Sequence, residues 1–284
     1  MVEIPPHLHG GLSDSAGQPW EGRTFSDNPW QNDDGTAPKE LGEALENFRA
    51  GSGTPVEVVD ALRETRLLVP LVAELGDEGE NDQGVKVDKS AELSIVTVKA
   101  PDGRGVVPVF SSVEAMKRWD ETARPIPVDS RRAALAAVEE RNDLLILDPG
   151  SPDTEFVVRR PAVWAISQAT GYELPWRDPR VLEHAQGLLA AEPRLLGIDL
   201  VPGDPGARFA GPELVIALHI SADLDESQQQ SVLQTVQASL AGNTDLVERV
   251  DSLALRVDRV ESSAGAGAEQ TRRKTRLFRR RRAR

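Results

Sequence analysis

The sequence has no cysteine and few aromatic residues. Without cysteine there is no disulfide framework, no thiolate nucleophile and no Cys-ligated metal site. Aromatic residues make up 4% of the chain and hydrophobic residues 39%, so we expect mainly aliphatic cores. No run of about 18 apolar residues is present, which argues against a membrane-spanning helix. The first 30 residues combine neither a cationic start nor an apolar run, so we expect no secretory signal and a cytoplasmic location.

Positive charge is scarce except at the end of the chain. Nine of the 33 basic residues lie between Thr271 and Arg284, where there is no acidic residue. They are Arg272, Arg273, Lys274, Arg276, Arg279, Arg280, Arg281, Arg282 and Arg284. This leaves 24 basic against 46 acidic residues elsewhere, a formal charge of −22 for the body of the protein. Body and tail are therefore of opposite charge.

The 284 residues predict about two domains with loose ends. Residues 1–38 are polar and lack periodicity, so we interpret them as a disordered N-terminal segment. Residues 39–170 alternate helical and strand patterns, and residues 178–260 follow the order αββαβ. Residues 261–284 form a Gly/Ala/Ser linker and the Arg-rich tail. The fold class predicted is α/β (α+β), with two small domains of mixed sheets and packed helices.

Local signals place the elements of the first domain. Thr54 followed by Pro55 is typical of a helix start, and Ser112 and Ser130 are read as further N-caps. The turn at residues 101–103 predicts a hairpin whose second strand contains Pro108, and proline there favours an edge strand or a bulge. A tight hairpin within an alternating α/β pattern predicts a mixed sheet. Residues 74–89 read as an acidic loop.

Three segments of the first domain resemble one known family. They are LSIVTVKAPDGRGVVPVF at 93–110, DLLILDPG at 143–150 and FVVRRPAVW at 156–164. Together they resemble the N-terminal domain of the SseB family, in the form found in high-GC Gram-positive bacteria. DSAGQPW at 14–20 is similar to the N-terminal lead of that form, and residues 178–257 look like the companion C-terminal domain. The resemblance implies no catalytic residue, cofactor or ligand.

Motifs for phosphate, calcium or triad chemistry fail on position. Gly103-Arg104-Gly105 lies in a hairpin, where no helix start follows a strand. A calcium loop with Gly79 at its sixth position would need glutamate at its twelfth, which is Val85. His184 and His219 read as structural or surface histidines, and His7 and His9 lie in the N-terminal segment. We therefore predict no catalytic, cofactor-binding or metal residues.

Two arginine doublets in the body are the candidate binding residues. Arg131 and Arg132 follow a helix N-cap, where the helix dipole disfavours cations unless an anion lies near. Arg159 and Arg160 end a strand ahead of a helix. We hypothesise that one doublet helps to form a site for an anion or an acidic partner, the alternative being simple surface solvation.

The sequence favours a non-catalytic, cytoplasmic binding or regulatory protein of the SseB type, with an unknown protein or small-molecule partner. The tail leaves several options open: contact with the acidic body, a protein partner, nucleic acid or an anionic bilayer, or no role. One alternative is a nucleic-acid-associated accessory protein acting through the tail. Another is an enzyme whose polar residues are dispersed over strand ends.

Overall fold

The computed structural model of the protein describes residue 30, residues 32–71, the short segments 79–80 and 86–87, and residues 96–261. Most of the N-terminal segment and the whole Arg-rich tail lie outside the described residues. Within them the chain forms α and β elements in mixed sheets, which confirms the predicted fold class. None of the described helices is long and apolar enough to cross a membrane.

Residues 39–168, the N-terminal lobe, contain five helices and eight strands within the described part of the chain. The helices are α1 (Lys39–Arg49), α2 (Pro55–Arg63), α3 (Val113–Trp119), α4 (Ser130–Glu139) and α5 (Arg160–Gln168). The strands are β1 (Arg66–Leu71), β2 (Gly79–Glu80), β3 (Lys86–Val87), β4 (Val98–Lys99), β5 (Gly105–Val109), β6 (Arg124–Asp129), β7 (Leu144–Leu147) and β8 (Phe156–Val158).

The main sheet of this lobe is mixed, as the hairpin predicted. Its order is β4-β5-β7-β8, with β5 and β7 parallel and the other two pairs antiparallel. Helices α1, α2, α4 and α5 bury apolar side chains on β5, β7 and β8 in one core. Phe110 and Met116, both fully buried, anchor a smaller core beneath α3. Strands β1 and β6 pair separately, and a bridge from Leu68 to Phe110 joins them to the main sheet.

Residues 178–260, the C-terminal lobe, form a two-layer unit. Its elements are α6 (Pro179–Ala191), β9 (Leu195–Pro202), β10 (Leu214–Ser221), α7 (Glu226–Ala241), α8 (Thr244–Arg249) and β11 (Leu253–Val260). The central strand β10 pairs antiparallel with β9 and parallel with β11. Its alternate residues, from Leu214 to Ile220, face the helices, as the period of a strand requires. The short helix α8 was not expected from the sequence.

Three local expectations were wrong. Strand β5 is internal, with β4 and β7 on its two sides. It tolerates Pro108 because this residue lies between the Val98–Val106 pair and the Leu68–Phe110 bridge, where no ladder hydrogen bond requires the missing N–H. The N-cap of α4 is Asp129, whose carboxylate accepts from the Arg131 N–H, while the Ser130 hydroxyl donates to the Arg63 carbonyl. The acidic loop at 74–89 contains the paired strands β2 and β3.

Candidate binding site at the joint of the two lobes

The loop between β9 and β10, residues 203–213, packs against the N-terminal lobe. The Val157 N–H donates to the Ala207 carbonyl at 2.8 Å, and Arg49 donates to the Gly206 carbonyl at 2.7 Å. Ala207 is buried in the core of the N-terminal lobe. Ala207 and Phe209 have φ values of 49° and 60°, a conformation that non-glycine residues rarely adopt. Contacts with the other lobe stabilise this strained loop.

Two arginines of the N-terminal lobe converge on one carboxylate of the C-terminal lobe. Arg104 donates to both carboxylate oxygens of Asp251, at 2.7 and 3.0 Å, and Arg159 donates to Asp251 at 3.2 Å. Arg159 also donates to Asp204 at 2.7 Å. Both guanidinium groups lie over the Phe209 ring. We call these five residues the clamp. Because the Asp251 side chain is fully buried, the clamp fixes one lobe against the other with charge-assisted hydrogen bonds.

Burial and neighbouring charge set the protonation of two carboxyl groups here. Burial raises the pKa of Asp251, but the hydrogen bonds and charge of Arg104, with Arg159, outweigh it, so this pKa lies below its ordinary value. Burial raises the pKa of Glu213 to about 7, opposed by a hydrogen bond from the Asp251 N–H at 2.6 Å. The Tyr172 hydroxyl donates to Glu213 at 3.1 Å, and burial followed by the Glu213 charge raises the Tyr172 pKa. Glu213 therefore titrates near neutral pH.

A small cavity adjoins these residues. Its volume is about 40 Å³, and Arg159, Tyr172 and Glu213 lie in its wall beside apolar side chains that include Trp176. A volume of this size holds a few water molecules. Pockets for metabolites measure roughly 300–1,000 Å³, so this cavity is too small to hold one. We therefore interpret the clamp and its cavity as the rigid support of a neighbouring site.

An open groove of about 410 Å³ lies beside this joint and has walls from both lobes. Helix α5 contributes Trp164, the connecting segment contributes Glu173, and the C-terminal lobe contributes Asp178, Glu248 and Arg249. Trp164 is half-buried and Arg160 lies over its ring at 5.2 Å. Asp178 pairs with Arg249 at 2.8 Å. Glu173 and Glu248 are exposed and have no ion-pair partner among the described residues.

The composition of the groove suits a cationic group. The indole of Trp164 already has the Arg160 guanidinium over its ring, and the exposed carboxylates of Glu173 and Glu248 supply the negative charge at the rim for a further cationic group. Arg160 and Arg249 are held by contacts within the chain, with the Val250 carbonyl and with Asp178. The volume falls within the usual range for ligand sites.

A second buried polar cluster lies where the parallel strands β5 and β7 end. The Asp148 carboxylate accepts from the Ser111 N–H at 2.7 Å and from the Ser111 hydroxyl at 2.6 Å. Burial raises the pKa of Asp148, and the hydrogen bonds from Ser111 oppose that rise. The buried Arg66 donates to the Ser111 carbonyl. These bonds connect the strand ends within the chain.

The two arginine doublets have different surroundings. The Arg131 and Arg132 side chains are exposed on the first turn of α4, without an ion-pair partner in the described part of the chain. Arg159 is buried in the clamp, where its acidic partners belong to this chain. Arg160 donates to the Val250 carbonyl at 2.7 Å. An external anion site is therefore a hypothesis for Arg131 and Arg132 only.

Of the four histidines, the structure describes His184 and His219, and each contacts a polar side chain of its own chain. The Nδ1 atom of His184 lies 2.6 Å from the amide nitrogen of Asn243, and burial lowers the pKa of this histidine. His219 Nε2 lies 2.8 Å from Asp199 Oδ2. Within the described ranges no group of three or more histidine and acidic side chains is arranged to hold a metal. His7, His9 and the nine basic residues of the tail lie outside the described residues.

The sequence analysis singled out only one charged member of the clamp, Arg159. The Arg104–Asp251 pair spans 147 residues of sequence. No local motif marks such a pair, although the DPG sequence at 204–206 signals the turn that carries Asp204.

Residues 41–165 match the family model described as the SseB protein N-terminal domain. No curated protein and no solved structure matches the chain.

Proposed function

Since this chain belongs to the SseB family through its residues 41–165, we propose that it is a non-catalytic, cytoplasmic binding protein whose groove holds a basic segment of a protein partner. The observation that carries the proposal is the groove beside the joint, with Trp164 in its wall and the exposed carboxylates of Glu173 and Glu248 at its rim. The clamp supports the proposal because it fixes the lobes that form the walls, and a preorganised site binds at lower entropic cost.

The Arg-rich tail is a natural competitor for such a partner. Strand β11 begins at Leu253, near the groove, and ends at Val260. At the rise of a β-strand, these two residues are about 23 Å apart. The ten residues of the linker, 261–270, extend to at most about 33 Å. The tail is therefore long enough to reach the groove of its own chain. A tether of this length gives an effective concentration on the order of millimolar.

A peptide with the sequence of residues 271–284 tests the proposal directly. We expect it to bind the chain truncated at residue 270 more tightly than the full chain, in which the tethered tail competes. Fluorescence anisotropy of a labelled peptide, measured at several salt concentrations, gives both dissociation constants. The affinity should fall as salt rises, since charge pairing at a surface is screened.

Paired variants locate the binding. Trp164→Ala with Glu248→Gln should weaken peptide binding about tenfold, or about 1.4 kcal/mol. Glu40→Gln with Glu46→Gln, exposed on α1 outside the groove, should leave the affinity unchanged. If both pairs have the same effect, binding is a general response to the acidic body and the groove proposal fails.

A second candidate function follows from the tail alone. Nine cations in fourteen residues contact phosphates without sequence preference, and we propose nucleic-acid association as the alternative role. Removal of residues 271–284 should then abolish nucleic-acid binding at low salt. Unchanged binding after that deletion excludes this role.

A further inference from the structure

Strand β11 forms an open edge of the C-terminal sheet. Among the described strands it pairs only with β10. The Ser252 and Val260 carbonyls accept from N–H groups on the β10 side, at Leu214 and Ala222. In a parallel ladder alternate residues turn both backbone groups towards the same neighbour. The even-numbered residues of β11 therefore face β10, and the odd-numbered residues from 253 to 259 direct their N–H and C=O groups to the open edge.

The two edges of this sheet differ in how they are protected. Edge strand β9 has a register shift against His219 and Ile220, contains Gly197 and ends at Pro202, and such features discourage pairing with another chain. Strand β11 has eight residues, LALRVDRV, without proline, glycine or lysine. Its Leu253, Val257 and Val260 are 38%, 37% and 39% exposed. Within the described strands this edge therefore lacks the register shift, glycine and proline of β9, and its charged residues Arg256, Asp258 and Arg259 are of both signs.

We propose that β11 pairs antiparallel with β11 of a second copy of the chain, with the two-fold axis at Val257. In this register Val257 lies opposite Val257 of the second copy, and Leu255 lies opposite Arg259. These odd-numbered residues are those whose backbone groups face the edge, so about six hydrogen bonds form across the axis. Two three-stranded sheets become one continuous sheet of six strands.

Charge complementarity favours this register, in which Arg256 and Asp258, paired at 3.0 Å within one chain, also face each other across the axis. Arg256 lies opposite Asp258 of the second copy, and the same pair recurs on the other side of the axis. These residues form non-hydrogen-bonded pairs, in which opposing side chains are closest. Moving the axis to Arg256 or to Asp258 places two like charges opposite each other. Moving it by half a residue pairs outward-facing groups with inward-facing ones.

Sedimentation equilibrium of the full chain tests the proposal. We expect a concentration-dependent dimer in the wild type. Asp258→Arg places arginines opposite each other, so it should raise the dimer dissociation constant at least about tenfold, and Arg256→Asp should do the same with carboxylates. The double variant R256D/D258R restores complementarity and should dimerise as the wild type does. An equimolar mixture of the two single variants should form the heterodimer.

Two further variants separate edge pairing from general effects. Val257→Pro removes an N–H that faces away from β10, so it should abolish dimerisation while the circular dichroism spectrum is kept. Asp199→Arg makes the same charge change on the opposite edge strand and should leave the dimer unchanged. A wild type that stays monomeric up to millimolar concentration overturns the proposal. So does a dimer that persists in both Asp258→Arg and Val257→Pro, or a mixture that forms no heterodimer.

Discussion

Replacement of Glu213 by glutamine should change how the free energy of unfolding depends on pH, because Glu213 is buried at the joint between the lobes. Burial raises the Glu213 pKa from its ordinary value of 4.5 to about 7. Between these values the unfolded chain has released the proton and the folded chain still holds it. The folded protein then binds more protons than the unfolded one, so the free energy of unfolding falls as the pH rises. Glutamine, which does not titrate, removes this effect.

The magnitude follows from the two pKa values. Below about pH 4 both states are protonated and Glu213 contributes no pH dependence. From about pH 5 to about pH 8 its ionisation destabilises the folded state by about 2.5 kcal/mol. The glutamine variant keeps a carbonyl that accepts from the Asp251 N–H, while its amide donates to the Tyr172 hydroxyl. We therefore expect the variant to gain about 2.5 kcal/mol relative to the wild type over this interval.

Urea unfolding of both proteins, followed by circular dichroism at about pH 5 and about pH 8, measures this difference. The comparison between variant and wild type cancels the titration of all other groups. Glu173→Gln, an exposed change in the neighbouring segment, is the matched control for the loss of one carboxylate. If the stability difference between Glu213→Gln and wild type is the same at both pH values, Glu213 does not titrate as its burial requires.

Three further substitutions test other contacts. Arg159→Ala removes the ion-pair partner of the buried Asp204 and one of the two arginine partners of Asp251, so it should cost about 3–5 kcal/mol in urea unfolding, and Arg159→Lys should cost less. Ser111→Ala removes the 2.6 Å hydrogen bond to buried Asp148 and should cost about 1–3 kcal/mol, more at neutral than at acidic pH because the charged carboxylate loses its donor. Thr54→Ala breaks the capping box of α2 and should lower the free energy of unfolding by about 1 kcal/mol, whereas Thr54→Ser should be nearly neutral. Equal losses in each pair of substitutions, or no dependence on pH for Ser111→Ala, would contradict the corresponding contact.

Sequence patterns that act over a few residues predicted most of the elements. Helix starts that the structure confirms were marked by Thr54 with Pro55 and by Ser112. A cap satisfies N–H groups within three residues, so its signature is complete in the local sequence. The hairpin turn at 101–103 likewise predicted the antiparallel β4–β5 pair.

Local patterns were insufficient where two neighbours compete for one role. Asp129 and Ser130 are both good caps, and Ser130 is instead occupied by the distant Arg63 carbonyl. Pro108 reads as an edge residue, yet the ladder on one side of β5 is interrupted at that position. Both outcomes depend on contacts with residues far along the chain.

By itself the sequence determined the alternation of helices and strands, the mixed sheet, the lack of cysteine chemistry and the opposite charges of body and tail. Only the tertiary structure decided that Arg159 faces carboxylates of its own chain rather than an external anion. It also decided that Trp164 and Glu248, from different lobes, line one groove. Caps and periodicity act over one or two turns of the backbone. The clamp and the groove join residues up to about half the chain apart, and only the packing of the two lobes brings those residues together.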